Sequence, residues 1–164
     1  MMESKEGVVR LEMFTKSVMS KTIEFVYTGN LHILDADEAR DLVVIADYLF
    51  LTKLKVCASR YLIQKLNITI FNSLSTLRIA DAYRLKELYS KTKKFILANI
   101  NALFTENRKD VLNMSSKELT IFISSDELIV NVEEDVFSII LSWIHHDIRK
   151  RHLLRRVISS RSTD

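Results

Sequence analysis

The sequence predicts a mainly α fold: a succession of amphipathic helices after one short strand. Three observations carry this. The 164 residues contain no proline and two glycines. Tight β-turns lean on those residues, so a sandwich, barrel or propeller is excluded. Apolar residues recur at helical spacing along most of the chain. A composition of 48% hydrophobic and 27% charged residues, with mean hydropathy +0.06, builds a core and does not describe a disordered tail.

The elements follow in order. Val8-Val9-Arg10-Leu11, just after Gly7, is short and β-branched and reads as the strand. A single strand leaves its backbone groups wanting a partner. Val18 to Tyr27 reads as a helix, with Val18, Ile23, Val26 and Tyr27 roughly on one face. Thr28-Gly29-Asn30 ends it, with glycine near the C-cap. Leu31 to Leu34 is a short extended stretch. Asp35 or Asp37 caps the next helix, with Glu38 in its first turn, where the dipole favours a negative charge. Leu42, Val43, Ala46, Leu49 and Phe50 form its apolar stripe. Thr52 is placed to cap a third helix containing Leu54, Ala58, Tyr61, Leu62 and Leu66. Further helices are expected over about 69–82, 85–104, 115–124, 133–147 and 148–158. Ser115 or Ser116 caps the one that opens Lys117-Glu118-Leu119.

Several function classes are excluded by composition. Two glycines cannot build a glycine-rich phosphate loop. One cysteine, Cys57, excludes a disulfide framework and a cysteine-built zinc site, and fits a reducing compartment. No stretch approaches the ~20 apolar residues of a membrane span. Met1-Met2-Glu3-Ser4-Lys5-Glu6 lacks a signal-peptide core. The charge of +3 and pI near 9.0 permit an acidic partner without requiring nucleic acid. The expected location is cytoplasmic or nuclear, with no membrane contact.

Two separated stretches carry a family resemblance. The first is Ile23-Glu24-Phe25-Val26-Tyr27-Thr28-Gly29, then Leu42-x3-Ala46-x2-Leu49-x-Leu51-x2-Leu54 and Tyr61-Leu62. The second is Leu119-x2-Phe122-Ile123-x2-Asp126-x-Leu128-x-Val130-x2-Glu133-x2-Val136-Phe137-x5-Trp143-Ile144-x2-Asp147-x3-Arg151. Between them stand Asn72-Ser73 and Ile79-Ala80-Asp81-x-Tyr83-x-Leu85-x2-Leu88. The chain resembles the BTB–BACK proteins, the kelch-like family of ubiquitin-ligase adaptors. The resemblance implies the C-terminal part of a BTB domain over 1–66, the N-terminal part of a BACK domain over 67–157, and a divergent tail over 158–164. It places Val8–Leu11 at the edge of a sheet whose other strands precede this chain. No stretch of these 164 residues resembles the family's kelch propeller. This sequence also departs from the family at Asn72-Ser73, where the family has Asn-Cys, at Ala58, where it has cysteine, and after Val157, where it expects Arg-Leu-Pro-Leu.

The resemblance implies a substrate adaptor or scaffold subunit of a cullin-3 RING ubiquitin ligase, without catalysis of its own and without a cofactor or metal. Met1 and Glu3 align with the family's hydrophobic-x-Glu motif and are the expected cullin-3 contacts. An apolar side chain would enter a pocket on the partner while a carboxylate accepts hydrogen bonds beside it. The helix pair that begins near Asn72 resembles the family's 3-box, which extends that contact. Phe71, Leu74, Leu77 and Ala80 form one of its apolar faces, and Phe95, Ile96, Ile100 and Phe104 the other. At helical spacing most such residues are core. The further partners implied are an unidentified ubiquitylation substrate and a second copy, bound through the BTB half that this chain lacks. Without that half, apolar faces of the first two helices are expected to be uncovered, giving a marginal, self-associating chain. A non-ligase BTB scaffold, a transcription-associated regulator and an inactive truncated adaptor remain as alternatives.

Other conspicuous residues are read as structural. Trp143 shares an apolar face with Val136, Ile139 and Ile140, and Asp147 with Arg151 is a surface ion pair at i, i+4. Glu133 suits a first helical turn. His145, His146 and His152 do not make a three- or four-ligand metal set. The basic run Arg149-Lys150-Arg151-His152-x2-Arg155-Arg156 has no interleaved aromatics and reads as a solvated helix face, not a nucleic-acid site.

Overall fold

The computed structural model describes residues 14–125 and 133–146. They form nine helices, with no strand among the described residues. The helices are α1 (Lys16–Thr28), α2 (Ala36–Tyr48), α3 (Thr52–Lys65), α4 (Ser73–Ala82) and α5 (Lys86–Ala98). Then come α6 (Ile100–Glu106), α7 (Arg108–Leu112), α8 (Ser116–Ile123) and α9 (Glu133–His146). The mainly α reading holds. The expected strand Val8–Leu11 and the expected helix over 148–158 lie outside the described residues. The chain divides into two compact units: Met1–Asn67 with Ile79–Leu88, and Ile68–Arg78 with Tyr89–Asp164.

In the first unit the helix ends are set by side chains. Thr15 caps α1, its hydroxyl accepting from the Val18 N–H at 3.3 Å. Gly29 closes α1 at φ 73, a left-handed conformation that glycine adopts without steric cost. Of the two candidate caps for α2, Asp35 is the one used; its carboxylate accepts from the Glu38 N–H at 2.8 Å. Glu38 binds back to the Leu34 N–H at 2.8 Å and to the Lys21 ammonium at 2.6 Å. The loop before α2 is thereby tied to α1. Ala39, Leu42, Val43, Ile45 and Ala46 of α2 pack out of water with Leu54, Ala58, Leu62 and Leu66 from α3 and its C-cap. Tyr61 is half-buried, and its hydroxyl donates to the Leu34 carbonyl at 3.2 Å.

Three expectations for this unit are corrected. Phe50 does not belong to the α2 stripe: it lies past the helix at φ 57 and is 89% exposed. Thr52 does not cap α3 but is its first residue, because the corner at Phe50 already turns the chain and no side-chain cap bond forms. Val18 does not share a face with Ile23, Val26 and Tyr27. Val18 and Thr22 face the core, and the other three are exposed.

The unit contains the same helix-to-helix corner twice. Ile45-Ala46-Asp47 before Leu51 and Leu54 matches Ile79-Ala80-Asp81 before Leu85 and Leu88. In the first, the Leu51 N–H reaches back to the Ala46 carbonyl at 2.8 Å. In the second, the Leu85 N–H reaches the Ala80 carbonyl at 2.8 Å. Each corner has a non-glycine residue at positive φ, Phe50 at 57 and Arg84 at 55.

The second unit is built on Leu74, Leu77, Ile96, Leu97, Ile100, Leu103, Val111, Met114 and Phe122. The single helix expected over 85–104 is instead α5 and α6, broken at Asn99, whose side-chain amide donates to the Phe95 carbonyl at 2.8 Å. The short α7 was not expected. It starts where Asn107, buried, ends α6 and gives its side-chain N–H to the Ile70 carbonyl at 3.3 Å. Ser115 makes a full capping box with Glu118 at the start of α8. Trp143 is buried as expected, and its indole N–H donates to the Met114 carbonyl at 3.0 Å. The side chains of Glu133, Val136 and Ile139 lie outside the described residues.

Two outcomes follow. Arg84→Gly should raise the unfolding free energy by about 0.5–1 kcal/mol, because left-handed strain of ~1–2 kcal/mol outweighs glycine's entropy cost of ~0.5–1 kcal/mol; urea denaturation reads it. Trp143→Ala should cost ~3–5 kcal/mol. Trp143→Phe should cost ~1–3 kcal/mol, since it leaves the Met114 carbonyl buried and unpaired. Equal losses for the two Trp143 variants would show that the hydrogen bond matters and the indole volume does not.

Candidate partner-binding surface

The first unit presents an apolar surface on α1. Its inward face is small and partly polar: Val18 and Thr22, whose hydroxyl donates to the Val18 carbonyl at 2.8 Å. Its outward face carries Ile23, Val26 and Tyr27, exposed by 50%, 56% and 85%. Positions i, i+3 and i+4 of a helix are neighbours, so these three form one stripe. Val26 continues it into a shallow groove of about 410 Å³, lined also by Phe25, Gly29, Phe50, Leu51 and Leu54. Lys53 stands at the groove's edge. A second groove in the same unit, about 310 Å³, runs along Val56, Ser59, Arg60 and Ile63 of α3 to Glu87.

The second unit presents Phe71, which precedes α4 and is 65% exposed. It is the exception among the eight apolar residues of the expected helix pair. Leu74, Leu77, Ala80, Ile96 and Ile100 are buried, and Phe95 and Phe104 are half-buried. The pair is therefore chiefly core, with Phe71 as its apolar outlet. On the neighbouring surface of this unit the Arg78 guanidinium grips Glu118, Nε to Oε1 at 2.6 Å and Nη2 to Oε2 at 3.4 Å. Burial pushes the Glu118 carboxyl up, but Arg78 and the Ser115 N–H and hydroxyl outweigh it and hold the pKa below the ordinary 4.5. Glu38 in the first unit shows the same balance: burial raises it, and Lys21, Leu34 and Ser17 bring it below 4.5.

Met1 and Glu3, the expected cullin-3 contacts, lie outside the described residues, as do Asp147, Arg151, His152 and the basic run over 149–156. His145 is exposed, with Nδ1 at 2.7 Å from the Leu141 carbonyl. Among the described residues no three His, Cys, Asp or Glu side chains gather as a metal ion would need. No helix among them is long and apolar enough to cross a membrane. Sequence reasoning missed Phe50 as a surface residue. The exposed α1 stripe agrees with the expected uncovered face, and the helix itself carries a second signal for it: apolar residues at 18, 23, 25, 26 and 27 surround it, and a surface helix buries only one face.

The model of the family described as BACK, "BTB And C-terminal Kelch", matches residues 73–160. Kelch repeat and BTB domain-containing protein 3 of Homo sapiens is 28% identical over 162 residues, covering 96% of this chain and 26% of that protein. Kelch-like protein 24 of Homo sapiens is 27% identical over 158 residues, covering 96% and 26%. Kelch-like protein 21 of Danio rerio is 29% identical over 149 residues, covering 91% and 24%. The chain thus spans about a quarter of the length of the curated relatives it matches.

The Arg78–Glu118 pair sets an expected pH dependence. A carboxyl held below 4.5 in the folded state contributes stability that is complete above about pH 4.5. That contribution is lost as pH falls through the lower folded value. Glu118→Gln keeps the capping geometry and removes the titration. Its stability profile between about pH 5 and pH 3 should be flatter than the parent's, as read by urea denaturation across that range; parallel profiles would show that Glu118 does not titrate with folding.

Proposed function

The chain belongs to the BACK family, and we propose on that premise that it acts as a non-catalytic adaptor or scaffold in a cullin-3 RING ubiquitin ligase. The observation that carries the reading is the family match over 73–160, joined to kelch-like and BTB relatives that align along 91–96% of the chain. Exposed apolar side chains on both units support protein binding as the activity. The domain assignment goes with the proposal: residues 1–66 as the C-terminal part of a BTB domain and 67–157 as the N-terminal part of BACK.

Met1 and Glu3 supply an apolar anchor and a carboxylate, and Phe71 adds an exposed aromatic beside the buried faces of α4 and α5. Burying one Met side chain is worth ~1.5–3 kcal/mol, and a charge-assisted hydrogen bond ~1.5–3 kcal/mol. A micromolar complex needs ~8 kcal/mol. Two residues fall short of that, so the helix pair must contribute, and Phe71 is its exposed aromatic.

The test is calorimetric titration with the N-terminal domain of cullin-3, using a chain extended at its N-terminus so that Met1 is internal. Met1→Ala, Glu3→Ala and Phe71→Ala should each weaken binding by about tenfold or more, while Met2→Ala with Ser4→Ala should be nearly neutral. If Met2→Ala abolishes binding and the first three do not, the contact register is wrong. A parent chain that does not bind cullin-3 overturns the ligase reading.

A further inference from the structure

The two helix pairs that share a corner differ in what they bury. The shift that carries Ile45, Ala46, Leu51 and Leu54 onto Ile79, Ala80, Leu85 and Leu88 also carries Leu42 onto Thr76 and Ala58 onto Thr92. The first pair buries hydrocarbon at both places, since Leu42 and Ala58 are each 0% exposed. The second buries two hydroxyls: Thr76 is 1% exposed and Thr92 0%. Neither Oγ1 has a hydrogen-bond partner among the described residues. A helical threonine can bond the carbonyl one turn back, as Thr22 does in α1 at 2.8 Å. Thr76 and Thr92 do not, and a buried hydroxyl without a partner loses its hydration and gains nothing in return.

The ion pair at the corner differs as well. In the first pair the Lys55 ammonium reaches back to Asp47 at 2.5 Å. The second keeps the acid as Asp81 but has Tyr89 where Lys55 stands, and Asp81 makes no ion pair among the described residues. Asp37 and Glu38 stand in the first turn of α2, where the dipole favours them, and α4 has no acid there. The corner is the same in both pairs, so these differences fall on the helices it joins. We infer that α4 and α5 form a conformational device: they open locally ahead of α2 and α3, and the two threonine hydroxyls set how often. Elements that move on binding are drawn from the least stable part of a fold. With α4 closed, Phe71 is exposed while Leu74 and Leu77, the next apolar positions along the chain, are 1% and 5% exposed. Opening adds them to the apolar surface, and a partner that prefers the open state shifts the population toward it. Opening belongs to the free chain, so it is tested without cullin-3 and is independent of the ligase reading.

Amide hydrogen exchange of the full 164-residue chain under native conditions, read by mass spectrometry, tests it. After correction for intrinsic rates, the amides of α4 and α5 should exchange about tenfold or more faster than those of α2 and α3. Thr76→Val and Thr92→Val keep the side-chain shape and remove the hydroxyl. Each should slow exchange in α4 and α5 by about tenfold and leave α2 and α3 within about twofold of the parent. Equal protection in the two helix pairs overturns the inference. So do valine variants that leave exchange in α4 and α5 unchanged or faster, which would show that the hydroxyls are satisfied, as by a buried water. A slowing spread evenly over all four helices overturns it too, because that is global stabilisation and not local closing.

Discussion

A helix that stops leaves its last carbonyls without donors, and this chain has two glycines and no proline with which to end its helices. The structure meets that constraint with one corner used twice. At Phe50 and at Arg84 the backbone enters the left-handed region, and the next leucine N–H reaches back five residues to an alanine carbonyl. Both accepting alanines, Ala46 and Ala80, are buried. The leucines that follow, Leu54 and Leu88, are carried into the core by the new helix. The corner therefore fixes which residues are inside. The residue at the left-handed position is exposed in both corners. In one copy that residue is a charged Arg84, which water solvates well. In the other it is Phe50.

The second unit solves the same problem with side chains. Asn99, Asn107 and Ser115 stand where helices break, and each supplies a polar group to a backbone partner. Asn107 is buried while doing so, which is tolerable only because its amide finds the Ile70 carbonyl. Trp143 does the same for Met114. These bonds locate α6 to α9 around the apolar cluster, and Met114 belongs to that cluster itself. Phe71 is left outside because α4 begins only at Ser73, after the turn in which Thr69 and Asn72 exchange hydrogen bonds.

Much of this was legible in the sequence. Gly29, Asp35 and Ser115 act as terminal residues because their chemistry is local: a missing Cβ, or a side-chain oxygen within reach of an N–H three residues on. The α2 and α3 stripes were legible because both helices bury one continuous face. The corners were not, since neither phenylalanine nor arginine advertises a positive φ, and their hydrogen bonds lie in the backbone. The breaks at Asn99 and Asn107 were hidden because apolar spacing continues across them. The outward stripe of α1 was expected only through the family resemblance, which left a face of α2 uncovered as well, whereas Leu42, Val43 and Ala46 are buried. Periodicity reports that residues share a face, and it is silent on whether that face has a neighbour.

That silence bears on function. Enzyme sites can be read as constellations of titratable groups, but a binding surface is marked by what the fold fails to bury. Scattered apolar residues on a surface carry no information, since most of any protein surface is apolar. What distinguishes α1 is that the helix had a choice. It could have turned Ile23, Val26 and Tyr27 inward; it turned Thr22 inward instead and satisfied the hydroxyl within its own backbone at 2.8 Å. The tie from Lys21 to Glu38 holds the helix in that rotation. Rotating it by half a turn would break that tie and leave Glu38, whose side chain is 10% exposed, without its cation. The apolar stripe is thus held outward by polar contacts behind it, which gives a partner a rigid face to meet and leaves little ordering entropy to offset on binding.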